Sequence, residues 1–117
     1  MRTSDRKLNP ILKNQIVKTF AQLVVDISGE DEAHKFINDF FNKAELETFA
    51  KRLAVAYWLK KKRSYDNIKR NLKVSSSTIA AVQGTMEKPG FKLAIKKLEA
   101  EEWANVWSQK IRRFVKR

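Results

Sequence analysis

A chain of 117 residues with 25 Lys plus Arg against 13 Asp plus Glu, a formal charge of +12, has the size of one domain, expected to span residues 1–117. Three Gly, two Pro and no Cys argue against a turn-rich sandwich and exclude a disulfide framework, a thiol nucleophile or a cysteine zinc site. The longest apolar stretch, Leu53–Leu59, is far shorter than the roughly 20 residues that cross a bilayer, and MRTSDRKLNP carries no apolar leader. These features predict a cytoplasmic protein with no membrane partner.

Leu8, Ile11, Leu12, Ile16, Phe20, Leu23, Val24 and Ile27 recur at spacings of three and four, which predicts a first helix over Pro10–Asp26. Pro10 suits its first turn and Asn9 its N-cap. Ser28-Gly29 breaks the pattern, and Ser28 with the acids after it starts a second helix with Ala33, Phe36, Ile37, Phe40 and Phe41 on its apolar face. A turn at Asn42-Lys43 precedes a third helix, which carries Leu46, Phe49, Ala50, Leu53, Ala56 and Tyr57 and reaches about Lys61. The first two helices hold more apolar face than a small monomer readily covers, so a homodimer is expected.

The positive charge is concentrated. Residues 51–73 hold nine Lys or Arg and one acid, Asp66, whereas residues 30–47 hold six acids and two lysines. Such a patch suits a polyanion, because phosphate neutralisation releases counterions.

Inside this region lies SYDNIKRNLKVSSSTIAAVQGT, Ser64–Thr85. Ser64 caps a short helix with Tyr65, Ile68 and Leu72 inward; Lys73-Val74 leaves the helical period; Ser75 or Ser76 caps a second helix with Ile79 and Val82 inward. The spacing of Ile68, Leu72, Val74, Ile79 and Val82 is that of a helix-turn-helix, in which two residues seal the first helix, one plugs the turn and two seat the second. The second helix turns Ser76, Ser77, Ala80, Ala81 and Gln83 outward, and small residues there let its backbone approach a major groove. Double-stranded DNA is therefore the expected partner. Lys60, Lys61, Lys62 and Arg63, with Ser64 and Tyr65, are expected beside phosphates; Ser75, Ser76, Ser77, Thr78 and Ala80 are expected at the groove; Lys88 adds a cation behind it. The second helix lacks Arg, Asn and Lys, the usual bidentate base readers, so a basic helical module that binds nucleic acid or protein without sequence specificity is the alternative.

After Thr85, Met86–Gly90 is expected to form a turn. A last helix follows with Leu93, Ile95, Leu98, Trp103, Val106, Trp107, Ile111 and Phe114, ending in Lys110, Arg112, Arg113, Lys116 and Arg117. The elements make an all-α fold of about six helices. The single His34, with no HxxxH pair and no Gly-rich phosphate loop, gives catalysis no foothold, and no enzyme is expected. No metal site is expected either.

The segment AKRLAVAYWLKKKRSYDNIKRNLKVSSSTIAAVQ, followed by GFKLAIKKL, resembles the Trp repressor superfamily, in particular its YerC/YecD-like branch, over residues 36–98. The resemblance implies a six-helix, intertwined homodimer that binds operator DNA and represses transcription. It also implies that Arg52 matches the arginine that stacks on a tryptophan ligand, while Ala81 stands where a second arginine pairs with the ligand carboxylate. Asp66 stands where a basic DNA-contacting residue is expected. No cofactor is expected, and an amino-acid co-repressor is left open, with tryptophan disfavoured by Ala81.

Overall fold

The computed structural model describes the backbone of residues 6–115 and the side chains of residues 6–102. The described residues form six helices and no strand, an all-α chain: α1 (Pro10–Asp26), α2 (Gly29–Phe40), α3 (Lys43–Lys60), α4 (Tyr65–Leu72), α5 (Ser76–Gln83) and α6 (Pro89–Val115). They fall into two compact units, residues 1–43 and 44–117.

In the first unit, Asn9 Oδ1 accepts the N–H groups of Ile11 at 2.9 Å and Leu12 at 3.3 Å, satisfying donors that the first turn of α1 leaves free. Pro10 fills the first helical position, as its fixed φ favours. The Ser28 hydroxyl makes no cap bond to α2; instead the Ser28 N–H donates to Glu32 Oε1 at 3.0 Å, which ties the start of α2 to its own first turn. Gly29 has φ +79°, a conformation that glycine adopts without steric cost. Phe20, Phe36, Phe40 and Phe41 form one aromatic cluster, with Phe36 stacked on Phe40 at 4.9 Å between centroids. Yet neither helix buries a residue, and Ile11 and Val25 are 82% and 75% exposed. His34 sits on this exposed surface, 3.5 Å from Glu30.

The core lies in the second unit. Val55 and Ala56 from α3, Ile68 from α4, Ile79 and Val82 from α5, and Ile95 from α6 are all buried. Trp58, Leu59, Leu72, Val74, Met86 and Phe91 pack half-buried around them. All five apolar positions expected of the motif therefore meet in one cluster. On α3 the buried face departs in part from the expected one: Ala56 is enclosed as expected, but Val55 is buried beside it, while Phe49 and Leu53 are 42% and 39% exposed. The helix is apolar on two sides, and α4 and α5 cover only one.

The turn after α5 lies two residues earlier than expected, over residues 84–88 instead of 86–90. Thr85 donates its hydroxyl to the Val82 carbonyl at 2.7 Å, and α6 begins at Pro89, so Pro89 and Gly90 open the helix instead of forming the turn. Proline lacks an N–H that the first turn could not use in any case. Of the apolar stripe foreseen for α6, Ile95 is buried and Leu93 is 58% exposed. Trp103, Val106, Trp107, Ile111, Phe114 and the cations Lys110, Arg112, Arg113, Lys116 and Arg117 fall outside the residues whose side chains are described. Among the described residues no helix is long and apolar enough to cross a membrane.

Candidate nucleic-acid interface

Two serines set the starts of the motif helices. Ser64 Oγ accepts the Asn67 N–H at 3.1 Å at the head of α4, and Ser75 Oγ accepts the Thr78 N–H at 3.2 Å at the head of α5. Ser75 Oγ also lies 3.0 Å from Ser77 Oγ and 3.0 Å from Thr78 Oγ1. Three of the four hydroxyls at the start of α5 thus bond to one another, and Ser76 keeps its hydroxyl unengaged among the described residues. Ser76, Ser77, Thr78, Ala80 and Ala81 are all exposed, while Ile79 and Val82 hold the opposite side of α5 in the core.

Tyr65 is not inward, as its place in the apolar pattern suggests. It is 37% exposed, and its hydroxyl donates to Gln83 Oε1. This bond fixes the start of α4 to the last residue of α5.

The basic run ahead of α4 divides into engaged and free cations. Lys61 Nζ pairs with Glu102 at 2.9 Å and stands 5.4 Å from the Tyr57 ring, and Tyr57 donates its hydroxyl to the same carboxylate. The Arg63 guanidinium lies 4.1 Å from the Trp58 ring centroid and reaches Asn67 Oδ1 at 3.4 Å. Lys60, Lys62 and Lys88 have no ion pair among the described residues. Asp66 forms an i,i+4 ion pair with Arg70, which offsets its negative charge. Sequence reasoning missed Lys69, an exposed cation on α4, and Lys73 in the turn. The spacing of the motif could have flagged both, since each flanks one of its inward residues.

Arg52 lies between two recesses. One, of about 440 Å³, is lined by Lys51, Arg52, Lys73, Thr78, Ala81 and neighbouring residues; the other, of about 270 Å³, by Arg52, Ala81, Val82, Thr85 and Phe91. Lys51 is paired with Glu47 at 2.9 Å, and the Arg52 guanidinium lies 5.5 Å from the Phe49 ring centroid. Ala81 presents a methyl group to both recesses, and the cations that line the larger one are Lys51, Arg52 and Lys73.

A short capped helix, a tight turn and a second capped helix with a small-residue outer face, seated on one shared core beside free cations, define a helix-turn-helix DNA-binding protein. The chain matches the model of the Trp repressor protein family over residues 15–99, and it belongs to that family of DNA-binding transcription regulators. The match reaches further toward the N-terminus than the motifs visible in residues 36–98, taking in most of α1. Neither the curated proteins nor the solved structures give a match.

Proposed function

We propose that the chain is a cytoplasmic repressor that binds operator duplex as an intertwined homodimer. The observation that carries this reading is α5: two residues, Ile79 and Val82, anchor it, and its outer face offers Ser76, Ser77, Ala80 and Ala81 with no bulky side chain to hold the backbone away from a groove. Lys60, Lys61, Lys62, Arg63, Ser64, Tyr65 and Lys88 meet the phosphates, and Ser75 orders the start of the reading helix. A face of small residues favours backbone approach, water-mediated contacts and DNA shape over bidentate base reading.

The dimer follows from α1. Eight large apolar side chains of this helix are exposed, from Ile11 to Val25. Covering a half-exposed Leu, Ile or Phe stabilises by about 1 kcal/mol, so a second copy seated there gains several kcal/mol. Residues 1–117 then act as one repressor-like domain per chain. Two motifs related by a twofold axis fit half-sites about one helical turn apart.

Free tryptophan is not the effector in this reading. Its carboxylate would meet Ala81, and a buried carboxylate without its cation costs about 3 kcal/mol or more.

Selection of bound duplexes from a random library tests the reading. An enriched palindromic sequence supports it. Equal retention of all duplexes, of single strands and of structured RNA instead supports a basic module without sequence specificity, the second reading that the small-residue face of α5 allows.

A further inference from the structure

Two acids of α6 stand against the end of α3. Glu102 pairs with Lys61 Nζ at 2.9 Å and also accepts the Tyr57 hydroxyl, from a residue 45 positions earlier in the chain. Glu99, one turn before it on α6, lines a recess of about 280 Å³ together with Lys60. The acidic stretch 99–102 of α6 therefore runs beside the first two cations of the basic run that precedes α4.

The contact draws Lys61 back along α3. Its N–H bonds to the Tyr57 carbonyl at 3.0 Å, so Lys61 continues the helical course, and its Nζ stands 5.4 Å from the Tyr57 ring one turn back. Arg63 does the opposite and reaches forward to Asn67 Oδ1 in α4 at 3.4 Å. Glu102 thus gives Lys61 what a phosphate would give it, an anionic oxygen at pairing distance, but at a place set back from the start of α4. The pair is open to water, with side chains 41% and 48% exposed. Exposed pairs contribute little to a fold, so this one exchanges its carboxylate for another anion at small cost.

We propose that Glu102 is a built-in competitor of DNA: it holds Lys61 paired and withdrawn in the free protein and releases it when a duplex binds. The proposal rests on the duplex-binding reading above and adds an autoinhibitory contact to it. Stability and affinity then move in opposite directions at a residue that itself meets no phosphate. A carboxylate that positioned Lys61 for phosphate would raise affinity instead of lowering it, and one that only stabilised the fold would leave affinity alone.

Phosphate contacts form on any duplex, so a labelled duplex of mixed sequence serves as the probe. The test uses the full chain with Glu102→Gln, Lys61→Ala, the two combined, and Glu101→Gln. The last removes the same charge from the adjacent residue of α6, which has no ion pair among the described residues. Glu102→Gln should lower Tm by about 2 °C and bind duplex about threefold tighter at 0.15 M salt, the scale of an exposed ion pair. Its salt slope should match that of the parent, because Lys61 reaches the same phosphate in both complexes. Glu101→Gln should bind as the parent does, and Glu102→Gln should add nothing in the Lys61→Ala background, where no cation is left to release. A Glu102→Gln protein that binds no tighter than Glu101→Gln, or binds more weakly, overturns the proposal and leaves the interface reading standing. An equal gain with and without Lys61 overturns it too, since the effect is then one of net charge. A parent protein that retains no duplex removes the interface reading, and this proposal with it.

Discussion

The Tyr65 hydroxyl donates to Gln83 Oε1, so the first residue of α4 and the last of α5 are joined outside the core that already holds both helices. With Ile68 and Ile79 fully buried beneath, the angle between the two helices is set at two separate points. Removing the outer point should loosen α5 without unfolding it. Tyr65→Phe is expected to cost about 1 kcal/mol, a fall of a few degrees in thermal melting followed by circular dichroism, and to weaken operator binding more than non-specific binding. Equal losses on both kinds of duplex would show that the bond only stabilises.

The exposed stripe of α1 gives the assembly prediction. Light scattering at micromolar concentration should report about twice 13.7 kDa. Val24→Asp, in a recess with Phe20, Ile27 and Phe36, should shift the mass toward one chain and reduce DNA binding together. A parent protein that is monomeric at that concentration counts against the dimer while leaving the motif intact.

Among the four cations before α4, the contribution of each depends on what it touches. Lys60→Ala should reduce the salt slope by about 1 with no change in melting. Lys61→Ala and Arg63→Ala should do the same and also lower Tm, because each removes a contact, to Glu102 and to Trp58 respectively. Unchanged affinity and slope in all three variants would mean that α4 docks in another orientation.

At the start of α5 two serines should separate folding from reading. Ser75→Ala removes the cap from Thr78 and should cost about 1 kcal/mol of stability. Ser77→Glu keeps the helix, since an acid in a first turn suits the dipole, but sets a charge against phosphate. Folded Ser77→Glu protein should retain its helical circular dichroism and lose duplex binding. Full operator binding by that variant would place another surface in the groove.

Much of this was legible in the residues, and the physical reasons are local. Asn9-Pro10 and Ser28-Gly29 bracket α1 because capping and the left-handed turn each need particular side chains, and Ser64 and Ser75 announce α4 and α5 in the same way. Four of the five inward positions of the motif follow from helical period, and Val74 follows from the spacing of the turn between the two helices. The buried side of α3 does not, because Phe49, Leu53, Val55 and Leu59 present apolar residues on two sides and only packing chooses between them. Nor do the pairings of Lys61 with Glu102 and of Arg63 with Trp58, which join residues by tertiary approach or by side-chain stacking. The left-handed residues that follow α3 and α4, Lys62 at φ 66° and Lys73 at φ 55°, are hidden for a different reason: the usual signal is glycine, and lysine stands in its place.

Calorimetric titration with millimolar L-tryptophan should show no binding heat, and operator affinity should be the same with and without it. Ala81 lines the recess beside Arg52 with a methyl group that cannot pair a carboxylate, and Lys51 is already committed to Glu47. Tight binding would mean that Lys73 or a lysine of a second copy serves the carboxylate, and Lys73→Ala would then abolish it.

The division of labour within α5 has a consequence for how such proteins diverge. Ile79 and Val82 carry its attachment to the fold, and Ser75 and the Tyr65–Gln83 bond set its two ends, so Ser76, Ala80 and Ala81 bear almost none of the folding free energy. Mutations at those three positions should be nearly invisible to stability, and in the proposed docking they are the ones that DNA would read. A lineage built on this scaffold can exchange one target sequence for another by drift across a neutral surface, with no intermediate that unfolds.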